Sequence, residues 1–424
     1  MKFYIYTLGC KVNSYESNVM SDLLINAGYI KTDDIADIYI INTCSVTNTA
    51  DNKSLKVIRQ AIRKNPKSII IVTGCLSQTN VEKVLELPVS IVIGNKNKSR
   101  IVDYIERYKK EKKPVIDIYD LSKVDFECMK LNNFDHTRAF VKIEDGCENF
   151  CSYCIIPYTR GKVRSKDKND VISEIKTLID NGHREIVLTG IHTGNYHDGD
   201  YDFASLLNDL VKIDGLDRLR ISSIEITELN DRVLQVLKNS KVLVDHFHIP
   251  LQSGSDEILK LMNRKYNKEY SIKKIEEIRS IRPEISLTTD VIVGFPNETD
   301  ELFLESLETI KKINFSKIHV FPYSRRKGTK ADLMENQVDE KVKKKRVETL
   351  LELSKELEIN YMEKFIGKEL DFIGEVKKDG FIIGHTGNYL LVKIKDEDYP
   401  LYETLKVKIE KVEYPYITGQ LLDK

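Results

Sequence analysis

Apolar and polar positions alternate in blocks along this chain. Over the first 110 residues the apolar runs "FYIYTL", "IYIIN", "SIIIVTG" and "SIVIG" are separated by stretches such as "YESNVMSDLLINAG" and "DNKSLKVIRQAIRK". The intervening stretches repeat apolar positions at helical spacing, so the rhythm predicts a parallel sheet with covering helices. The next stretch, "ERYKKEKKPVIDIYDLSKVDFECMKLNNFD", is charged and aperiodic and is expected to be a linker with at most one strand. From about residue 138 the alternation resumes, and "AFVKIE", "EIVLTG", "LRISSIE", "HFHIPL", "SLTTDVIVGF" and "KIHVFPY" read as six strands with helices between them. They predict a partial (β/α)6 barrel or an open α/β sheet. Residues 337–363 read as one long charged amphipathic helix, and short β runs with Gly and Asp turns after Gly367 predict a small β-barrel. The expected fold class is α/β, in four segments: 1–112, a linker 113–137, 138–364 and 365–424.

Composition narrows the setting. The hydrophobic share is 41% of 424 residues, enough for sizeable cores. Lys plus Arg equals Asp plus Glu, 66 against 66, so binding of nucleic acid has to rest on local patches. The start "MKFYIYTLGCKVNSYES" has no long apolar segment, and no apolar run reaches membrane-spanning length. A soluble, cytoplasmic protein is expected. There its seven cysteines read as metal ligands or catalytic thiols before disulfides.

Six of those cysteines form two sets. Cys10, Cys44 and Cys75 each end a predicted buried strand, in "YTLGC", "INTC" and "VTGC", with 33 and 30 residues between them. In a parallel sheet the carboxyl ends of the strands share one edge, so three distant thiols can converge there. The alternative is three small apolar residues at strand ends. The second set is local: "EDGCENFCSYCIIPYTRG" places Cys147, Cys151 and Cys154 directly after a strand. Thiolates at this spacing bind soft metals or iron–sulfur clusters. Zinc would close its tetrahedron with a fourth Cys or His, and none follows nearby, although His183 and His192 are available to the fold. A trio leaves one metal position open, as catalysis requires.

The C-x3-C-x2-C string with Tyr153 before its last cysteine, the three dispersed cysteines and "CIIPYTRG" together resemble the radical S-adenosylmethionine methylthiotransferase family. The N-terminal "TLGCKVNSYES" is similar to the branch that modifies N6-threonylcarbamoyladenosine in tRNA. The resemblance covers nearly the whole chain. It implies a 4Fe-4S cluster on Cys147, Cys151 and Cys154 that binds S-adenosylmethionine. It also implies a second 4Fe-4S cluster on Cys10, Cys44 and Cys75 that presents sulfur to C2 of the adenine. It further implies a C-terminal TRAM-like domain, the tRNA anticodon loop as partner, a reductant such as flavodoxin or ferredoxin, and a monomer. The same chemistry would serve isopentenyl-adenosine in tRNA or a ribosomal protein. A zinc-stabilised RNA-binding module and a two-cluster electron carrier are readings from other classes.

Other positions carry weaker expectations. Tyr153 is placed to touch the cofactor's adenine, or to pack. Glu225 matches a family position near the cofactor ribose, with a strand-end ion pair as the alternative. Gly294 offers a backbone that can approach the adenine edge. Asn13 and Asn42 are placed to orient cluster cysteines, and His246 and His248 to pack inside the barrel. Phosphate contacts are expected from Arg160, Lys162 and Arg164. They are also expected from residues 323–346, which hold nine basic and four acidic side chains. The tail Phe365–Lys424 has nine Lys and eleven Asp or Glu, and is expected to shape the substrate pocket rather than grip phosphate.

Overall fold

The computed structural model describes residues 1–134 and 137–422. The first sheet is built from β1 (Lys2–Thr7), β2 (Ile30–Lys31), β3 (Ile38–Thr43), β4 (Ile69–Gly74), β5 (Ile91–Ile93) and β6 (Val115–Asp117). All six are parallel, in the order β2-β1-β3-β4-β5-β6. The β-branched runs of β3 and β4 are wholly buried, as a sheet covered on both faces demands. Met20 and Leu24 of α1 (Lys11–Asn26) pack on one face. Ile58 and Ala61 of α2 (Asn48–Lys64) pack on the other. The strand order reverses between β1 and β3, which makes their carboxyl ends a switch-point crevice. β6 lies inside the stretch expected to be linker and completes this sheet beside β5. Farther along the linker, Met129, Leu131 and Phe134 are buried in the same core as the barrel.

The central region has six parallel strands. β7 (Arg138–Lys142), β10 (Glu185–Thr189) and β13 (Arg218–Ile221) form one sheet. β14 (His246–His248), β15 (Ser286–Val293) and β16 (Lys317–Pro322) form the other, and a bridge from Leu219 to Leu243 joins the two halves. β7 and β16 stay unpaired on their outer sides, so the barrel is partial. Tyr15 and Val19 of α1 enter the barrel's own core, which fixes the first sheet against it. Two short ribbons complete this region: β8 (Glu144–Asp145) with β9 (Arg164–Ser165), and β11 (His197–Asp198) with β12 (Tyr201–Asp202).

The long helix runs Glu340–Glu363 and starts later than expected because Asp339 caps it, accepting from the Lys341 N–H at 2.8 Å. The tail is a closed barrel of β17 (Glu369–Lys378), β18 (Phe381–Thr386), β19 (Leu391–Lys395), β20 (Thr404–Glu413) and β21 (Tyr416–Leu421). β21 was not among the expected runs. Its mixed pattern "YITGQL" is only partly buried, and it is the strand that closes the barrel between β19 and β20.

Candidate active site

The register of the first sheet gathers the dispersed thiols. Thr7 lies opposite Asn42, Asn42 opposite Thr73, and Thr43 opposite Gly74, so the residues after β1, β3 and β4 emerge side by side. Gly74 has φ of +98°, and a Cβ there would meet backbone atoms of Thr43. Only glycine makes this turn without strain, and the turn delivers Cys75 to the start of a helical turn, Cys75–Thr79. Gly9 before Cys10 also has a positive φ, and Cys10 stands at the N-cap position of α1 without a side-chain capping bond. Asn13 ties the loops together: its Nδ2 donates to the carbonyls of Leu8 at 2.6 Å and Thr43 at 3.0 Å. Asn42 donates to the Asn13 carbonyl at 3.0 Å. Both asparagines are therefore placed as loop ties beside the thiols. Asn95 donates at 3.5 Å to Cys75 Sγ and at 2.9 Å to the Thr159 carbonyl, which links this trio to the segment after Cys154.

The second trio hangs from one loop at the carboxyl end of β7. Gly146 has φ of +94°, and a Cβ there would collide with the Lys162 carbonyl, so the turn into Cys147 again requires glycine. A cavity of about 320 Å³ opens at this loop, lined by the three cysteines together with Tyr153, His192, Thr193, Glu225 and Arg264. Arg264 donates to Cys151 Sγ at 3.3 Å and pairs with Glu225. His192 Nδ1 lies 4.0 Å from Cys147 Sγ, while its Nε2 faces Glu228. Glu144 accepts from the backbone N–H groups of Ile191 and His192 at 2.8 and 2.7 Å, and burial pushes its carboxyl up to about 8. Tyr153 stands edge-on to Phe295 with centroids 6.4 Å apart, so it packs and faces the cavity at once.

Between the trios lies a buried ionic cluster. Arg160 is 0% exposed; it donates to Asn13 Oδ1 at 2.7 Å, to Glu16 at 3.0 Å and to Asp145 at 3.1 Å. Lys142 bridges Glu16 at 2.8 Å and Asp145 at 2.7 Å, and Lys98 pairs with Glu16. Arg164 also approaches Asp145, at 3.6 Å, so four cations face two carboxylates, and the Arg160 charge also feels Cys75 and Cys10.

The donor chemistry of both trios suits a soft metal cluster. As bare thiols two of these groups resist ionisation: burial pushes Cys154 up to about 12 and raises Cys44. A bound metal reverses that preference. Arg264, Asn95 and Arg160 supply positive or hydrogen-donating neighbours for the resulting negative charge. The buried, unpartnered Thr193 Oγ1 in the cavity wall leaves an open polar position for a cofactor.

A second cavity, about 490 Å³, fills the barrel interior. Lys11, Arg138, Arg220, His246, His248, His319 and Asp290 line it, and Tyr389, Leu390 and Leu391 of the tail close one end. Asp290 lines both cavities. Burial, then the guanidinium groups of Arg138 and Arg220, press the Lys11 ammonium down to about 8.

Several expectations need correction. Arg160 cannot meet a phosphate, because it is consumed by Glu16, Asp145 and Asn13. Within 323–346, three of the nine basic residues are buried. Arg326 pairs with Asp51 at 2.6 Å, Arg346 with Glu298 at 2.6 Å, and Lys343 with Glu340 at 2.7 Å. Gly294 is not among the residues lining the cysteine cavity. Its missing side chain makes room for Lys343, with which a Cβ would collide. His183 faces the linker, where its Nε2 receives the Phe134 N–H at 3.2 Å, and takes no part in either trio. Cys128 donates to Asp170 at 3.2 Å, apart from both sets. Arg264 and Asn95 carry no sequence signal. Arg160 had one: it is the sole charge in "CIIPYTRG", beside the ligands.

Comparison with known proteins follows the same division. Residues 141–310 match the profile described as "Radical SAM superfamily", and residues 2–94 match "Uncharacterized protein family UPF0004". The "Threonylcarbamoyladenosine tRNA methylthiotransferase MtaB" of Bacillus subtilis (strain 168) is 44% identical over 98% of this chain and 95% of its own. The "tRNA-2-methylthio-N(6)-dimethylallyladenosine synthase" of Clostridium novyi (strain NT) is 37% identical over 99% of this chain and 96% of its own. Among solved structures, the radical S-adenosylmethionine methyltransferase TsrM of Kitasatospora setae superposes with a TM-score of 0.57 at 11% identity. That match covers 77% of this chain and 75% of the other, and shares the fold alone.

Proposed function

The chain belongs to the radical S-adenosylmethionine tRNA methylthiotransferase family, and from that premise we propose that it methylthiolates C2 of N6-threonylcarbamoyladenosine beside the tRNA anticodon. The product is 2-methylthio-N6-threonylcarbamoyladenosine. One observation carries the reading: six thiols fall into two trios on either side of the Arg160 cluster, one on the sheet edge and one at the barrel mouth. The near-complete alignment with MtaB supports the choice of nucleoside.

The cofactors are two 4Fe-4S clusters and S-adenosylmethionine. Cys147, Cys151 and Cys154 would hold the first cluster, and Cys10, Cys44 and Cys75 the second. When bound, these groups supply the radical chemistry and the sulfur that exchange a C–H bond for a C–S bond. The remaining work belongs to side chains. Arg264 donates to Cys151 and, with Glu225, forms the polar wall where the cofactor ribose would lie. Tyr153 and Phe295 shield that wall from water. Lys98, Lys142 and Arg160 hold positive charge between two sites that become negative when loaded. The barrel cavity holds the adenosine, and Asp290 stands where it meets the cofactor cavity.

For tRNA, the exposed cations Lys162, Arg325, Lys327, Lys330, Lys341, Lys344 and Lys345 remain as phosphate contacts. The enzyme works as a cytoplasmic monomer, with electrons from a flavodoxin- or ferredoxin-type reductant. No helix among the described residues is long and apolar enough to cross a membrane. Mass spectrometry of tRNA nucleosides from a deletion strain tests the reading. Loss of the methylthio group from threonylcarbamoyladenosine alone is expected, whereas loss from isopentenyl-adenosine would overturn it.

A further inference from the structure

The barrel cavity carries positive charge that its own carboxylates do not match, and nothing in the chemistry above uses the surplus. Lys317 is matched by Glu358 at 2.8 Å, while Asp290 lies 3.4 Å from His248 and its charge also acts on Lys11. Arg218 and Arg220 share a single carboxylate, Glu185, at 3.3 and 2.7 Å. Among the described residues Arg138 pairs with Glu375 alone, at 3.5 Å, and His385 also claims that carboxylate at 2.9 Å. Lys11 makes no ion pair among the described residues, although it lines the same cavity as Arg138 and Arg220. Arg220 is buried, and its Nη1 has no hydrogen-bond partner. The tail's Tyr389 places its ring beside these cations, with Arg220 at 4.7 Å and Arg138 at 5.1 Å from the centroid.

Buried donors left unsatisfied are costly, and so are buried charges left without a counter-ion. A ligand that brings an anion would remove both costs. We propose that Lys11, Arg138 and Arg220 form an anion seat for the carboxylate of the amino-acid group attached to the substrate adenosine. The proposal rests on the reading that the substrate is N6-threonylcarbamoyladenosine, which carries that carboxylate. An adenosine with an apolar N6 group would leave the same cations unpaired, so the seat would select against it as well as for its own substrate.

The test uses anaerobically reconstituted holoenzyme and anticodon stem-loop RNA bearing either N6-threonylcarbamoyladenosine or its carboxyl methyl ester. Binding is read by fluorescence anisotropy and methylthiolation by mass spectrometry. The unaltered enzyme is expected to favour the acid over the ester by about tenfold to a hundredfold, the worth of one or two charge-assisted hydrogen bonds. Lys11→Gln and Arg138→Gln are each expected to shrink that ratio by weakening the acid and sparing the ester, and Lys11→Arg to restore it. An acid-to-ester ratio near one in the unaltered enzyme overturns the seat, and that result needs no variant to fold. Variants that lose both RNAs in parallel overturn it too. If the unaltered enzyme modifies neither RNA but does modify one bearing dimethylallyladenosine, the substrate reading itself fails, which is a distinguishable result.

Discussion

The two cysteine trios gather thiols by opposite means. Cys147, Cys151 and Cys154 sit within one loop, so the covalent chain sets their spacing before anything folds. Cys10, Cys44 and Cys75 are brought together only when three parallel strands pair in register, with Asn13 and Asn42 tying the loops. One site is a property of the chain and the other a property of the sheet. The loop trio gains a guanidinium and a polar cavity wall from the barrel, which suits the cofactor cleavage proposed for it. The sheet trio lies instead where the crevice meets the buried ions.

The sharpest way to break this division is to remove single thiols. Cys147→Ala, Cys151→Ala or Cys154→Ala should reduce both S-adenosylmethionine cleavage and methylthiolation to background. Cys10→Ala, Cys44→Ala or Cys75→Ala should abolish methylthiolation yet spare cleavage, read as 5′-deoxyadenosine release. Iron should fall from about eight to about four per chain in either group. If cleavage vanished equally with the sheet-edge variants, the two sites would not have separate work.

The same contrast explains what could be read from sequence. The loop trio is legible from spacing alone. The sheet trio is legible only through the inferred strand rhythm, which places each cysteine at a strand end. The parallel sheet, the partial barrel and the tail barrel follow from periodicity, but β6 and β21 do not, because short or mixed runs carry little pattern. Charge counts misled most. Arg160, Arg326, Lys343 and Arg346 were counted toward a phosphate surface, and each is buried against a carboxylate far away in sequence or one turn along a helix. Composition registers a charge without its partner. Arg264 was missed for a related reason: it follows a short helix with no motif, and only the fold brings it to Cys151 and Glu225.

The buried ions between the trios give the next largest effect. Arg160→Met takes away the guanidinium that Glu16, Asp145 and Asn13 share, and breaking a buried pair in this way costs roughly 3–5 kcal/mol. The urea midpoint of the holoenzyme should drop accordingly. Adding Glu16→Gln should deepen the loss, because Lys98 then has no carboxylate and Lys142 shares Asp145 alone. Recovery by the second change would mean that Glu16 relies on Arg160 for its counter-charge and that the two lysines contribute little.

A smaller effect separates the sites by backbone rather than by ligand. Gly74→Ala and Gly146→Ala each force a side chain into a left-handed conformation against a backbone oxygen, at a cost of about 1–3 kcal/mol. Gly74→Ala should lower iron at the sheet trio and spare 5′-deoxyadenosine release. Gly146→Ala should do the reverse. Loss of 5′-deoxyadenosine release from Gly74→Ala as complete as its loss of methylthiolation would show that the sites assemble as one unit.

The smallest expected effect concerns the exposed cations proposed as phosphate contacts. Lys341, Lys344 and Lys345 are exposed on the long helix, unlike Lys343 and Arg346 beside them. Replacing each by Ala should weaken tRNA binding evenly across sequences and make the salt slope of log K shallower by about one for every phosphate left without its lysine. Cofactor cleavage in the absence of RNA should not change, since these lysines line neither cavity. A salt slope that stays fixed would move the phosphate-binding surface to Lys162, Arg325, Lys327 and Lys330, which lie nearer the cysteine loop in the chain. The tRNA would then be held from the cofactor side of the barrel rather than along the helix.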